Sequence, residues 1–295
     1  MGKGRVMPSS RAINITLLVI FVGALVVYYT QRHLYYERLS PELEPANHVY
    51  RLGTEVDGCT DLPSTKAIGD ANNLETVGGT SFSIRVPANY QADVPHPLLV
   101  VYAPGGRERT ASERLVSITA AATSAGFIVA FADDRSLSVE TILDLGTIPD
   151  LVGERWCLDP DRIFLTGHSN GGTVASALAF LEETPVLVRG IAPSAAGISG
   201  ADFAARECPA PLSVIVMHSA EDRLFPGFGA QAARWWASCN RCDVARVSEL
   251  ANGCLAYLDC APGVQTVYCE GSGAHTRWPA LNSEMLDFFL NIGGE

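Results

Sequence analysis

The sequence predicts an α/β fold: a mostly parallel central sheet with helices on both faces, preceded by one N-terminal transmembrane helix. Three observations carry this. From Pro97 onward, short apolar runs alternate with helical stretches, the order that builds parallel sheets. Two of those runs, 97–103 and 127–132, are apolar without alternation, as strands buried on both faces are. Near the N-terminus, residues 13–29 are apolar except for Asn14 and Thr16.

Residues 1–12 are a short basic tail, with Lys3, Arg5 and Arg11 ahead of the apolar stretch. Residues 13–30 form the anchor, within the range of about 17–25 residues that a spanning helix takes. Tyr28 and Tyr29 close it as interfacial aromatics, and Arg32 follows. The basic end stays in the cytoplasm, which places the rest of the chain outside, in a periplasmic or extracellular setting. A cleaved signal peptide, leaving a secreted protein, is the rival reading. No small-x-small cleavage site follows the stretch and no lipobox cysteine is near it, so an uncleaved anchor is preferred. Residues 31–57, with Pro41 and Pro45, are a polar juxtamembrane linker, and 58–295 form the globular domain.

The net charge of -11 is uneven: residues 1–40 hold five Lys or Arg and one acid, Glu37. The remainder carries 16 basic and 31 acidic residues, or -15. An acidic body argues against nucleic acid as a partner, because phosphate binding needs concentrated Lys and Arg. All eight cysteines, Cys59, Cys157, Cys208, Cys239, Cys242, Cys254, Cys260 and Cys269, follow the anchor. An even count on the exported side points to disulfides, whose pairing sequence does not reveal. Cys239 and Cys242 form C-x-x-C, with Cys254 and Cys260 downstream, the spacing of a zinc site. No histidine lies among them, and exported thiolates oxidise, so no metal or other cofactor is expected.

Within the domain, 80–86 alternates as a half-buried strand ending at Pro87. The strand 97–103 is broken by Pro104, Gly105 and Gly106. A helix is expected over 112–125 with Ser112 as N-cap, then the strand 127–132, closed by Asp133 and Asp134. A helix over 140–156 is interrupted by Gly146 and Pro149. A strand at 162–166 leads into a helix at 172–181. Further strands fall at 191–195, 212–217 and 264–269, with helices at 229–238 and 282–291. Ligands of such sheets bind beyond the carboxyl ends of the strands.

The chemistry concentrates at Gly167, His168, Ser169, Asn170 and Gly171, a G-x-S-x-G turn between strand and helix. A serine nucleophile must project from a tight bend, so the positions two before and two after it must lack bulk. The helix N-terminus then aims N–H groups and a positive dipole end at the reacting oxygen. Serine needs a base, and in the α/β-hydrolase arrangement the order along the chain is Ser, acid, His. Of six histidines only His218 and His275 follow Ser169. His218 ends a strand and leaves almost no room for an acid before it. His275, in a loop between the last strand and last helix, is the expected base. Asp222, after the 212–217 strand, is the expected acid, with Glu221 as the alternative. The oxyanion donors are expected to be the backbone N–H groups of Asn170 and, after the strand 97–103, Gly106, with Arg107 next. His168, Arg107 and Trp278 are the substrate-pocket candidates.

These segments resemble a known family. Residues 159–172 are similar to the nucleophile segment of exported esterases grouped with polyhydroxybutyrate depolymerases and feruloyl or acetyl-xylan esterases. The stretch from His218 to Pro226 looks like their acid loop, and Gly271 to Pro279 like their histidine loop; Cys239 to Cys260 has a counterpart there too. The resemblance spans about Ser81 to the C-terminus. It implies an α/β-hydrolase fold with Ser169, Asp222 and His275 as nucleophile, acid and base. Two departures bear on substrate preference: Pro104-Gly105 replaces the family's His-Gly pair, and Arg277 precedes Trp278. The leading expectation is a membrane-anchored serine esterase acting on a small ester or an ester-bearing oligomer or polymer. A serine peptidase of the same fold, or a catalytically silent binding protein on the same scaffold, is the alternative.

Overall fold

The computed structural model describes Cys59 and residues 69–184 and 187–292. The expected tail, anchor and linker lie outside the described residues. Among the described residues, no helix is long and apolar enough to cross a membrane.

The strands are β1 (Ala71–Glu75), β2 (Ser81–Arg85), β3 (His96–Tyr102), β4 (Ile128–Ala132), β5 (Leu158–His168), β6 (Gly190–Ser194), β7 (Ser213–Ser219), β8 (Asp243–Glu249), β9 (Leu255–Leu258) and β10 (Thr266–Gly271). They form one sheet in the order β1-β2-β4-β3-β5-β6-β7-β10-β9-β8. The six central strands, β4 to β10 in that order, are parallel. Antiparallel strands flank them on both sides. The parallel block has the apolar composition that double-sided burial demands: every residue of β3, β4, β6 and β7 is buried.

Eight helices are described: α1 (Arg109–Val116), α2 (Thr119–Ser124), α3 (Val139–Leu145), α4 (Ile148–Gly153), α5 (Asn170–Phe180), α6 (Gly200–Ala204), α7 (Phe228–Cys239) and α8 (Asn282–Asn291). Side chains alternate across the sheet. Leu99, Val101, Val129 and Phe131 form one cluster with Val116 and Ala122 of α1 and α2 and Met285 and Phe289 of α8. The intervening Leu98, Val100, Ile128 and Ala130 point to the other face and are fully buried too. Both faces are therefore covered.

The structure divides two expected helices. The 112–125 helix becomes α1 and α2, because Ser117 takes a left-handed φ of 51° and returns its N–H to Glu113. Ser112 is buried inside α1 and does not cap it. The 140–156 helix splits at Gly146, with Ser138 capping α3 and Pro149 in the first turn of α4. Pro at that point costs no helical bond, so it starts a helix instead of kinking one.

All eight cysteines are paired: Cys59–Cys157, Cys208–Cys239, Cys242–Cys260 and Cys254–Cys269. Cys239 and Cys242 fall in different disulfides, so the C-x-x-C spacing marks neither a dithiol nor a zinc pair. Four disulfides are the chemistry of an extracytoplasmic protein. Two of them, Cys242–Cys260 and Cys254–Cys269, pin the β8–β9 excursion, whose outer strand is almost wholly exposed and carries alternating charge.

Cys59–Cys157 closes a loop of 98 residues in sequence. Replacing both with serine should cost about 4–5 kcal/mol, from the loop entropy regained by the unfolded chain. Urea unfolding of the oxidised protein measures it.

Candidate active site

The site is built on three parallel strands whose carboxyl ends share one edge of the sheet: Ser169 follows β5, Asp222 follows β7 and His275 follows β10. At the first of these, Ser169 adopts φ 57° and ψ -113°. A non-glycine residue held in that region costs of order 1–3 kcal/mol, so its surroundings must impose it. They do so by leaving no space. A Cβ on Gly171 would stand 2.0 Å from the Tyr102 carbonyl oxygen, and one on Gly172 would stand 2.5 Å from that of Ser194. One on Gly167 would meet the Gly171 carbonyl carbon at 2.5 Å. The Ser169 N–H donates to Ser194 O at 2.9 Å, tying the bend to β6.

His275 bridges the other two loops. Its Nδ1 is 2.7 Å from Asp222 Oδ2 and its Nε2 is 2.9 Å from Ser169 Oγ. A carboxylate accepts, so Nδ1 carries the proton and Nε2 is free to accept from the serine hydroxyl. Asp222 is buried, and burial alone would raise its pKa. The hydrogen bond from His275 and N–H donors from Phe225 and Leu224 outweigh burial and hold the carboxyl below its usual range. Asp222 is thus kept as an anion oriented at the imidazole. The ring of Phe225 stands edge-on to His275, centroids 4.9 Å apart.

Glu221, the alternative acid, does other work: its Oε2 accepts the Gly273 N–H at 2.6 Å and fixes the histidine loop. His218 lies behind Asp222, with Nε2 3.7 Å from Oδ2, and burial pushes its pKa down.

The turn after β3, where a second oxyanion donor was expected, differs from expectation. Gly106 donates its N–H to Asp134 Oδ2 at 2.7 Å, and Arg107 donates its own to Pro104 O at 3.0 Å. Both candidates expected on this turn are engaged, whereas Asn170, the donor expected after Ser169, is not. The Gly105 N–H has no hydrogen-bond partner among the described residues. The Asn170 N–H begins α5 and has no helical acceptor. Asp134 also accepts from the Asn170 side chain at 3.2 Å, and that amide nitrogen would be 2.9 Å from a Cβ on Gly105. Asp134 therefore clamps the turn against the start of α5. Sequence reading recorded Asp134 only as the end of a strand. Its place at the carboxyl end of a parallel strand, on the same edge as the triad, was the signal available.

Two pocket candidates are relocated. His168 is 2% exposed: its Nε2 is 2.6 Å from the His275 carbonyl oxygen and its Nδ1 is 3.0 Å from Ser194 Oγ. Buried between these two partners, it presents no open surface to a ligand. Trp278 is also buried; its Nε1 donates to Asn282 Oδ1 at 2.7 Å, fastening the loop to α8. Arg107 is exposed on the turn after β3.

Comparison with protein-family models gave no match, and comparison with curated proteins gave none either. The fold resembles solved structures. An acetyl xylan esterase from Aspergillus awamori aligns with TM-score 0.57 and 13% identity, over 75% of this chain and 97% of that one. The fluorophosphonate-binding serine hydrolase F of Staphylococcus aureus aligns with TM-score 0.50 and 15% identity, over 75% and 97%. An esterase from Thermogutta terrifontis with butyrate bound aligns with TM-score 0.50 and 15% identity, over 73% and 90%. These likenesses show the α/β-hydrolase fold that the three loop motifs imply.

Burial drives the pKa of His168 from 6.5 to about 4. The unfolded chain then binds a proton that the folded one refuses, so stability falls as pH drops from about 6.5 to 4. The loss from this residue is about 3 kcal/mol at 1.36 kcal/mol per pKa unit. Urea unfolding at pH 7.5 and 4.5 should show a steeper decline for the native chain than for His168→Gln.

Proposed function

We propose that the chain is a serine carboxylic-ester hydrolase. The observation that carries this reading is the continuous hydrogen-bonded line from Ser169 Oγ through His275 to the Asp222 carboxylate, at 2.9 and 2.7 Å. Nε2 of His275 takes the hydroxyl proton as Oγ attacks the ester carbonyl carbon. The carbonyl electron pair moves to oxygen, and the N–H groups of Asn170 and Gly105 face that charge. When the carbonyl re-forms, the C–O bond to the alcohol breaks and the imidazolium returns the proton to the departing oxygen. Water, deprotonated by the same nitrogen, then releases the acid and frees Ser169. Asp222 keeps the imidazole in the required tautomer and balances its transient positive charge.

The substrate is an ester with a short or hydroxy-acyl group, of the polyhydroxybutyrate, feruloyl or acetyl-xylan kind. Support comes from the loop motifs and from neighbours that include an acetyl xylan esterase and a butyrate complex. The catalytic domain works outside the cytoplasm, tethered by residues 13–30; the basic residues before that stretch and the disulfides after it support this.

Hydrolysis of p-nitrophenyl acetate and butyrate and of methyl ferulate tests the reading. Ser169→Ala should lower kcat by about 10^4-fold or more, and Asp222→Asn by about 10^3–10^4-fold, through the wrong imidazole tautomer. Native-like activity in Ser169→Ala would sink it. Asp134→Ala should lower kcat about tenfold with little change in KM, since the interaction it secures forms with the oxyanion. A change confined to KM would assign Asp134 to substrate binding instead.

A further inference from the structure

We propose that His168 is a positioning residue for the base, holding His275 by its main-chain carbonyl while Ser194 sets the tautomer that allows it. The proposal rests on the reading of His275 as the base. A carbonyl oxygen can only accept, so the 2.6 Å contact from Nε2 to His275 O requires the proton on Nε2. Nδ1 is then a bare acceptor, and the buried Ser194 hydroxyl donates to it at 3.0 Å. Both partners lie on the rigid floor of the site: His168 ends β5 and Ser194 ends β6.

The loop they hold is tied at its start by the Ala220 N–H on Gly271 O at 3.1 Å and by Ser219 Oγ on Ser272 O at 3.4 Å, and the His275 side chain by Asp222. Gly271, Ser272, Gly273 and Ala274 bring no large apolar side chain to bury, and Gly273 takes φ 107°. Glu221 fixes the loop at Gly273, and Trp278 fixes it three residues beyond His275. Between those points the His168 contact anchors the main chain of the base itself. The 2.9 Å reach from Nε2 of His275 to Ser169 Oγ tolerates little drift, because a displacement near 1 Å can cost about 100-fold in rate. The charged and titratable groups facing His168 are His275, Asp222 and His218. Burial keeps the ring neutral at working pH, so it remains one donor and one acceptor.

The test is the rate of Ser169 labelling by a fluorophosphonate, with kcat and KM for p-nitrophenyl acetate alongside, in the full chain. His168→Leu keeps bulk and loses the donor. His168→Gln places an amide nitrogen near the Nε2 position, and His168→Asn reaches only as far as Nδ1. Labelling and kcat should fall at least about tenfold in the Leu and Asn variants, with KM within about twofold, and Gln should recover most of the loss. A Leu variant that labels within twofold of the native rate overturns the proposal. So do Gln and Asn variants that are equally slow, which would make the role one of shape alone. Should His168→Leu fail to fold, the Gln–Asn pair decides by itself. Failure of the native protein to label would instead sink the hydrolase reading on which the proposal stands.

Discussion

The structure depends on one local constraint: the backbone of Ser169 is held at φ 57° by close packing on every side. The bend brings α5 so near β3 and β6 that carbonyl oxygens of Tyr102 and Ser194 occupy the places of absent side chains at Gly171 and Gly172. The strain at Ser169, of order 1–3 kcal/mol, is offset by two fully covered faces of a parallel sheet. The hydroxyl is thereby presented above the strand ends, next to unpaired N–H groups at the start of α5.

From that point the architecture sets the chemistry. Parallel strands deliver successive loops to one edge, so residues 53 and 106 positions apart meet within hydrogen-bond distance. The bend at Ser169 is tied to β6 by its own N–H, and three other loops at this edge are each fixed by a carboxylate accepting main-chain N–H groups. Asp222 takes those of Leu224 and Phe225, Glu221 that of Gly273, and Asp134 that of Gly106. These acids are part of the surplus negative charge seen in the sequence, and at this edge they serve as loop anchors, Asp222 holding the His275 ring as well.

The parallel block was legible because burial on both faces writes unbroken apolar runs, and the tight turn at Ser169 because its glycines have a steric reason. The meeting of His275 with Asp222 and Ser169 followed from chain order and strand ends. What stayed hidden has a physical cause in each case. β8 is an exposed edge strand whose charged residues give no hydrophobic period, and β9 is too short to show one. Ser117 ends α1 in a left-handed conformation that composition does not announce. The burial of His168 depends on its partners, Ser194 and the His275 carbonyl, arriving from other parts of the chain. The engagement of Gly106 depends on Asp134 arriving from another strand.

The central claim, that Ser169 forms a covalent acyl intermediate, is tested most directly by trapping it. The full chain would be mixed with p-nitrophenyl acetate, quenched in acid within the first turnover, and digested for peptide mass spectrometry. The account predicts one added acetyl group on the peptide containing Ser169. Turnover without that adduct, or an acetyl group on a different residue, would contradict it.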